Sequence, residues 1–474
     1  MVVGARRNSF PGLYTTDRAK GGGVVKIASI NIPGRCARSR DFPPDATQAA
    51  ARLSAPQAKQ RGFALIITLT LLALLALTVF ALSALNRVSA QIATIAVYQM
   101  QARQNALLGL NLGLGELQQQ AGDDARLTGM AGLTGISALA GNSTRHWCGV
   151  WEQGTGAFVG WLASGAQTTS TAAVQSGFSV VELVGANTVG AAAANSEHSI
   201  AGKIPLWRTD TAAAPGSATL VGNYAYLVID EGVKITAYAP DALLRVAGLR
   251  PVLTSTVPTS AAGKLAAALA AYAGKLPGII SYEQLSLLPT PNAALTPSVL
   301  QDNFNHVTLT NRTLSGSDYF SGSLNLNTTS TIFWRSVLET YNTALGVVPI
   351  TSSNLTAKGN ALGNGLAATN LGKMVNGPFS SPANFSAYLA TIFPLTGSPT
   401  YIQIMAVLGP LLTVRSDTFR IRAYGEAVNS LATVPVEARA VCEAIVQRTP
   451  LAAPNGLGRK FVLIDFRWLG PNDL

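Results

Sequence analysis

KQRGFALIITLTLLALLALTVFAL, residues 59–82, decides how the rest of the chain is read. From residue 63 to residue 85 no charged side chain occurs, a run of 23 residues. Wound as a helix, the run is about 34 Å long, enough to cross a bilayer core of roughly 30 Å. Its polar members are Thr68, Thr70, Thr78 and Ser83, whose hydroxyls can bond back to their own helix. A core helix of a globular protein carries one apolar stripe, whereas this run is apolar all round. An export signal has a shorter apolar region, about 7–15 residues, ending at a small-residue cleavage site. Ala81 and Ser83 mimic such a site, but the run is longer than that region. A plain signal anchor is the other simple reading.

Charge places the run in context. Before Phe63 there are eleven Lys and Arg and three Asp, a net +8, whereas the other residues carry 23 basic and 20 acidic side chains, a net +3. The overall excess of +11 therefore belongs mostly to the N-terminal segment. A nucleic-acid binder needs a basic face on its folded part, and here that part is nearly balanced, so nucleic acid is excluded as a partner. Basic residues ahead of an apolar run fit a segment whose N-terminal flank stays in the cytoplasm.

The helical pattern continues past the apolar run. Between Asn86 and Gln120 there is no proline. Leu107, Leu110, Leu114 and Leu117 recur at helical spacing and predict a buried stripe. Gly109 and Gly113 lie on a neighbouring face and allow close backbone approach, at some cost in helix propensity. Gly122-Asp123-Asp124 is the expected stop. One helix of nearly sixty residues is expected, its first part in lipid and its second part amphipathic.

A basic leader, Gly62, the aromatic Phe63, an apolar run and an amphipathic continuation resemble the class III signal of type IV pilins and type II secretion pseudopilins. The resemblance implies cleavage between Gly62 and Phe63 by a prepilin peptidase and methylation of Phe63. It also implies partners: other pilins or pseudopilins through the helix, an inner-membrane assembly platform, and membrane lipid. The C-terminal part would be periplasmic and the N-terminus cytoplasmic. One residue departs from the pattern. Major pilins carry Glu at the fifth mature position, and here it is Ile67, with no acid before Glu116. A carboxylate in lipid is costly unless paired, and in a pilus its partner is thought to be the next subunit's N-terminus. A subunit without it resembles the minor members, PilX-like minor pilins and the large GspK-type pseudopilin. The leader, residues 1–62, is longer than the family's. Either it is removed whole or the true start lies further on, at Val24, Val25 or Leu53, because the next methionine is Met100.

Further along, HWCGVWEQGTGAFVGWLASG (146–165) sets Trp147, Trp151 and Trp161 around glycine turns and reads as short strands. GNYAYLVIDEGVKITAYAP (222–240) reads as a strand, a turn at Asp230-Glu231-Gly232 and a returning strand. This order resembles the region after the helix in GspK-like pseudopilins and, more closely, that of large PilX-type proteins of the kind found in Verrucomicrobia. Asp230 and Glu231 are candidate calcium ligands, as acids are in some pseudopilins; a solvated acidic turn is the simpler reading. Helical stretches are expected at 261–273 and 281–287, and 301–410 is polar. GNGLAATNLGKM lacks the spacing of a phosphate loop. DTFRIRAYGEA (417–427) and VPVEARAVCEAIVQRTP (434–450) alternate as an antiparallel hairpin, and KFVLIDFRWL (460–469) supplies a last strand. These closing strands resemble those of the same PilX/GspK-like group.

The expected fold is α+β: a long N-terminal helix, transmembrane in its first half, packed on an antiparallel sheet. Its parts are a leader (1–62), the membrane half of the helix (63–85), its amphipathic half (86–122), a β-rich region (123–240), a helical and loop-rich insertion (241–410) and C-terminal strands (411–474). Cys148 and Cys442 lie beyond the apolar run, and export would allow them to pair as a disulfide; two distant cysteines are as often buried thiols. No metal-ligand spacing, nucleophile elbow or nucleotide loop occurs. Three histidines, His146, His198 and His306, give little material for acid–base chemistry, so the chain is read as a non-enzyme with no cofactor beyond the calcium candidate. A minor pilin or pseudopilin that starts or caps a fibre is the reading. The alternatives are a pilus-tip adhesin using its tryptophans, another anchored binding protein, or an anchored enzyme.

Overall fold

The computed structural model describes residues 61–134, 144–190, 197–209, 218–236, 301, 303–308, 324–343, 346–374, 377–429, 435–470 and 473. The helical stretches expected at 261–273 and 281–287 lie outside them. The chain divides into two units, Met1–Leu77 and Thr78–Leu474. In the first, the described residues are all helical.

The helix α1 is continuous from Arg61 to Ala121, 61 residues. Nothing in it breaks a helix, and the Thr68 and Thr70 hydroxyls donate to Leu65 O and Ile67 O at 2.9 Å, so they expose no unsatisfied donor. One helix of the described residues, Phe63–Ala121, is long and apolar enough to cross a membrane. None of its most apolar window is buried. The helix stops at Gly122, whose N–H still donates to Gln118 O at 3.2 Å, and the Asp123 carboxylate then turns the chain by accepting from Ala125 N at 3.0 Å.

The second unit is organised by a five-stranded antiparallel sheet in the order β14-β13-β12-β7-β6. Its strands are β6 (Ile204–Thr209), β7 (Ala218–Asp230), β12 (Thr418–Val428), β13 (Val436–Ala452) and β14 (Arg459–Leu469). The C-terminal hairpin therefore forms as its alternation predicts, with Ala423 opposite Cys442 and, on the other side, opposite Tyr226. All eleven residues of β12 are buried, because both faces of the sheet are covered.

One face carries the second part of α1. Its buried residues are Ala102, Asn105, Ala106, Gly109, Leu110, Gly113, Leu117 and Ala121. They meet Tyr226, Val228, Phe419, Ile421, Ala423 and Ala444. The seat is thus mainly small residues rather than the leucine stripe expected from spacing. Leu107 is 37% exposed and only Leu110 and Leu117 of that set are buried. Close approach explains the difference. A Cβ on Gly109 would lie 2.9 Å from Ala225 O, and one on Gly113 3.0 Å from the Tyr226 ring. A Cβ on Gly425 would strike the helix backbone at Ala102 and Ala106.

The other face carries a larger layer. A three-stranded sheet, β1 (Arg126–Met130), β2 (Cys148–Glu152) and β3 (Phe158–Trp161), adjoins the edge of β7 through residues 162–164, so that Cys148 and Val150 join the α1 side while Trp151 and Trp161 join this larger layer with the pair β4 (Val180–Val184) and β5 (Ser199–Gly202). A short helix, α2 (Ala186–Val189), follows β4. Four further helices, α3 (Thr331–Thr343), α4 (Ser352–Ala368), α5 (Pro382–Ile392) and α6 (Tyr401–Leu408), build an aromatic centre of Trp334, Phe379, Phe385 and Tyr388. The polar 301–410 region is therefore more helical than its composition suggests, and Gly363–Ala368 form the last residues of α4.

The expected return after Asp230 does not form a hairpin. The strand after the turn, β8 (Ile235–Thr236), pairs in parallel with β9 (Val307–Thr308), as β10 (Leu324–Asn325) does with β11 (Leu412–Thr413). Both edges of β7 are already taken, one by β12 and the other by β6 and by residues 162–164.

Candidate functional site

The sequence nominates two places: the head of α1 and the acidic turn at its far end in the sheet. At the first, Gly62 and Phe63 lie within the first turn of α1. Phe63 is 69% exposed and Ile67 46% exposed. No acid precedes Glu116 on this helix, so the apolar surface from Phe63 to Leu85 is uninterrupted by charge.

At the second place the geometry is unlike either expectation. Asp230 and Glu231 are buried, 2% and 0% exposed. Asp230 staples the turn: its Oδ1 accepts from Gly232 N at 2.7 Å. Glu231 Oε1 accepts from Lys234 Nζ at 2.8 Å and Arg420 Nε at 3.0 Å. Burial pushes the Glu231 carboxyl up, but Lys234 and Arg420 outweigh it and hold it at about 2. The place a cation would take beside Glu231 is filled by two side-chain cations. Among the described residues no group of three or more His, Cys, Asp or Glu is set to hold a metal ion. Asp230 and Glu231 thus belong to a buried ionic network and not to a solvated turn.

The network continues across the sheet. Arg420 Nη1 donates to Glu443 Oε1 at 2.6 Å, Arg422 Nε to Glu443 Oε2 at 2.8 Å and Arg467 Nη2 to Glu443 Oε1 at 2.8 Å. Arg422, Glu443 and Arg467 are register partners on three neighbouring strands, so strand pairing itself sets their spacing. Burial raises the Glu443 carboxyl, and the three guanidinium groups bring it well below the usual carboxylate range. The Phe304 ring lies under three of the cations, 4.7 Å from Arg422, 4.8 Å from Lys234 and 5.4 Å from Arg420.

A second polar cluster was not legible in the sequence. Glu197 Oε2 accepts from His146 Nε2 at 3.1 Å and Asn305 Nδ2 at 3.0 Å, with His306 Nε2 at 3.5 Å. His306 Nδ1 lies 2.8 Å from Ser330 Oγ. These residues come from separate stretches and share no motif. The Ser–His–Glu chain resembles a nucleophile–base arrangement, but Ser330 is 3% exposed. Its oxygen also accepts from Phe333 N at 3.1 Å, which makes it the cap of α3.

Cys148 and Cys442 are both free and buried. They share one core cluster, yet each thiol leans on a backbone carbonyl, Gly149 O and Ala106 O, at 3.9 Å. They stand as two buried thiols and not as a disulfide, and burial pushes the Cys442 thiol up to about 12. The tryptophans named for the adhesin alternative are also core: Trp147, Trp151 and Trp161 are 0%, 1% and 4% exposed. Trp147 and Trp161 donate their ring N–H groups to Ile200 O and Thr169 O. Comparison of the chain with family models, with curated proteins and with solved structures finds no match.

Proposed function

We propose that the chain is a minor pilin or pseudopilin, cut by a prepilin peptidase after Gly62, that helps initiate or cap a type IV pilus or type II secretion pseudopilus. The observation that carries this reading is the build of α1. Its head offers Gly62–Phe63 and an uncharged apolar surface, and its later residues are seated on an antiparallel sheet by alanines and glycines. Such a helix serves two settings, lipid before assembly and neighbouring helices after it. Ile67 supports a terminal position over a repeating one, since the paired acid of a repeating subunit is missing. On this reading the protein crosses the inner membrane once, with its N-terminus cytoplasmic and the sheet periplasmic. Its partners are other pilins or pseudopilins, the peptidase and the assembly platform.

N-terminal mass spectrometry of the protein from its native host tests the processing step. A mature chain beginning with methylated Phe63 is expected. A mature chain beginning anywhere else overturns it. Removing the major pilin gene and then the secretion genes shows which system needs the subunit.

A further inference from the structure

Three separate stretches meet at the Glu197 carboxylate: 145–146 ahead of β2, Glu197 itself ahead of β5, and 303–306 ahead of β9. Asn305 ties the last stretch down twice, donating from Nδ2 to Glu197 O at 2.8 Å and to Glu197 Oε2 at 3.0 Å. His306 O accepts from Ile235 N at 2.9 Å, which joins the stretch to β8. Residues 303–308 thus form a strap over the end of β7, and the His306 ring is its link to α3 through Ser330.

Counting hydrogens fixes how that link works. His306 Nε2 faces Glu197 Oε2 at 3.5 Å. A bare nitrogen there would oppose a carboxylate, so Nε2 carries the hydrogen. Nδ1 is then the acceptor, and Ser330 Oγ donates to it at 2.8 Å. The Ser330 oxygen also accepts from Phe333 N at 3.1 Å, and the Ser330 carbonyl accepts from Trp334 N at 3.2 Å. One serine therefore starts α3 and holds the imidazole. A second proton on His306 goes to Nδ1 and meets the Ser330 hydroxyl hydrogen. The bond survives only if it reverses, with Oγ taking two N–H donors while its own hydrogen loses its acceptor, a costly exchange in a buried site. The surroundings do not offset this. Burial disfavours the charged ring most, and His146, Arg145 and Lys234 add to it against the pull of Glu197. The next cations, Arg420 and Arg422, lie across the Phe304 ring.

We propose that His306 is an acid-operated catch. On taking up a proton it releases the strap 303–308 from Ser330, and the start of α3 opens locally while the five-stranded sheet stays closed. The α3 layer, rather than the sheet that seats α1, is the acid-sensitive part of the molecule. This inference does not depend on the fibre assignment.

The test is hydrogen–deuterium exchange of the full chain in detergent micelles, read by mass spectrometry at pH 7 and pH 4.5. Labelling times are scaled for the intrinsic pH dependence of amide exchange. Peptides covering 331–338 are expected to exchange at least about tenfold faster at the lower pH, because an open state with an ordinary imidazole takes the proton first. Peptides from β12 are expected to stay protected while those of 331–338 exchange. This contrast needs no variant. Exchange of the two regions at one common rate overturns the proposal, as does an unchanged rate at 331–338. His306→Gln, which does not titrate, is expected to remove the acceleration, and His146→Gln to keep it. Acceleration that persists in His306→Gln, or that disappears in His146→Gln, overturns the proposal and assigns the proton to another group. Ser330→Ala opens the catch without a proton, so 331–338 should exchange fast at both pH values. This variant decides the matter if His306→Gln loses β12 protection at pH 7, and acceleration retained in Ser330→Ala overturns the proposal.

Discussion

At the scale of single residues the buried charges decide most. Glu443 holds Arg420, Arg422 and Arg467 within 3 Å, and removing one partner of a buried pair leaves the others uncompensated. Glu443→Gln is therefore expected to cost about 3–5 kcal/mol, read as a lowered denaturant midpoint. Glu437→Gln, exposed on the same strand, should stay within about 0.5 kcal/mol; equal losses would show that the network carries no special weight. His306 gives a pH prediction. Burial is the main cause that lowers its pKa from 6.5 to about 4, against the opposing pull of Glu197. A lowered value means the unfolded chain takes the proton first. Stability from this group is thus complete above about pH 6.5 and is lost as pH falls toward 4, with a slope of at most about 1.4 kcal/mol per pH unit. Glu197, also held below its ordinary value, adds its loss only below about pH 4.5. Denaturation between pH 7 and 4.5 should show the His306 slope, and His306→Gln should flatten it. An unchanged slope in that variant would assign the effect elsewhere.

At the scale of elements, the seat of α1 is the sharpest case. Gly425 faces the helix backbone at Ala102 and Ala106 with no room for a methyl group. Gly425→Ala is expected to push the helix off the sheet at a cost of about 1–3 kcal/mol, whereas Leu107→Ala, at a 37% exposed position, should cost about 0.5 kcal/mol or less. Chemical denaturation of both variants decides between the small-residue seat and a leucine stripe, because the stripe predicts the reverse order. The helix and the strands β12 and β13 were legible because each has a regular period long enough to dominate its window. The face of the helix was not, since the pattern counts leucines and passes over Ala102, Ala106 and Gly109, whose value lies in their smallness. Alternation of Arg420 and Arg422 with apolar residues reads as a solvent face. Here it is a second buried face, because partners for those charges come from Glu231 and Glu443, distant in sequence. Glu231, an acid in a tight turn three residues before Lys234, has a spacing that suits an internal ion pair as well as a metal.

At the scale of the whole molecule, exposed apolar residues and buried charged ones lie in different stretches of the chain. The exposed apolar residues concentrate between Phe63 and Met100, including Leu72 at 70% and Phe80 at 76%. The charged network and the aromatic centre belong to the residues beyond Thr78. This division makes the processing claim separable from folding. Under the proposed function, Gly62→Leu blocks the peptidase, so the protein persists in the membrane longer by its 62 leader residues. The described residues that seat α1 on the sheet begin at Ala102, so the thermal transition of the sheet should move by no more than about 0.5 kcal/mol equivalent. Fibre or secretion function should nevertheless be lost, because the uncut leader keeps eleven basic residues attached to the helix head and they hold it at the cytoplasmic surface. Immunoblotting for chain length, a melting curve and an assembly assay on the same strain give three independent readouts. An uncut chain that still assembles would detach the function from the Gly62–Phe63 junction, while a cut chain in the Gly62→Leu strain would place the cleavage elsewhere along the helix head.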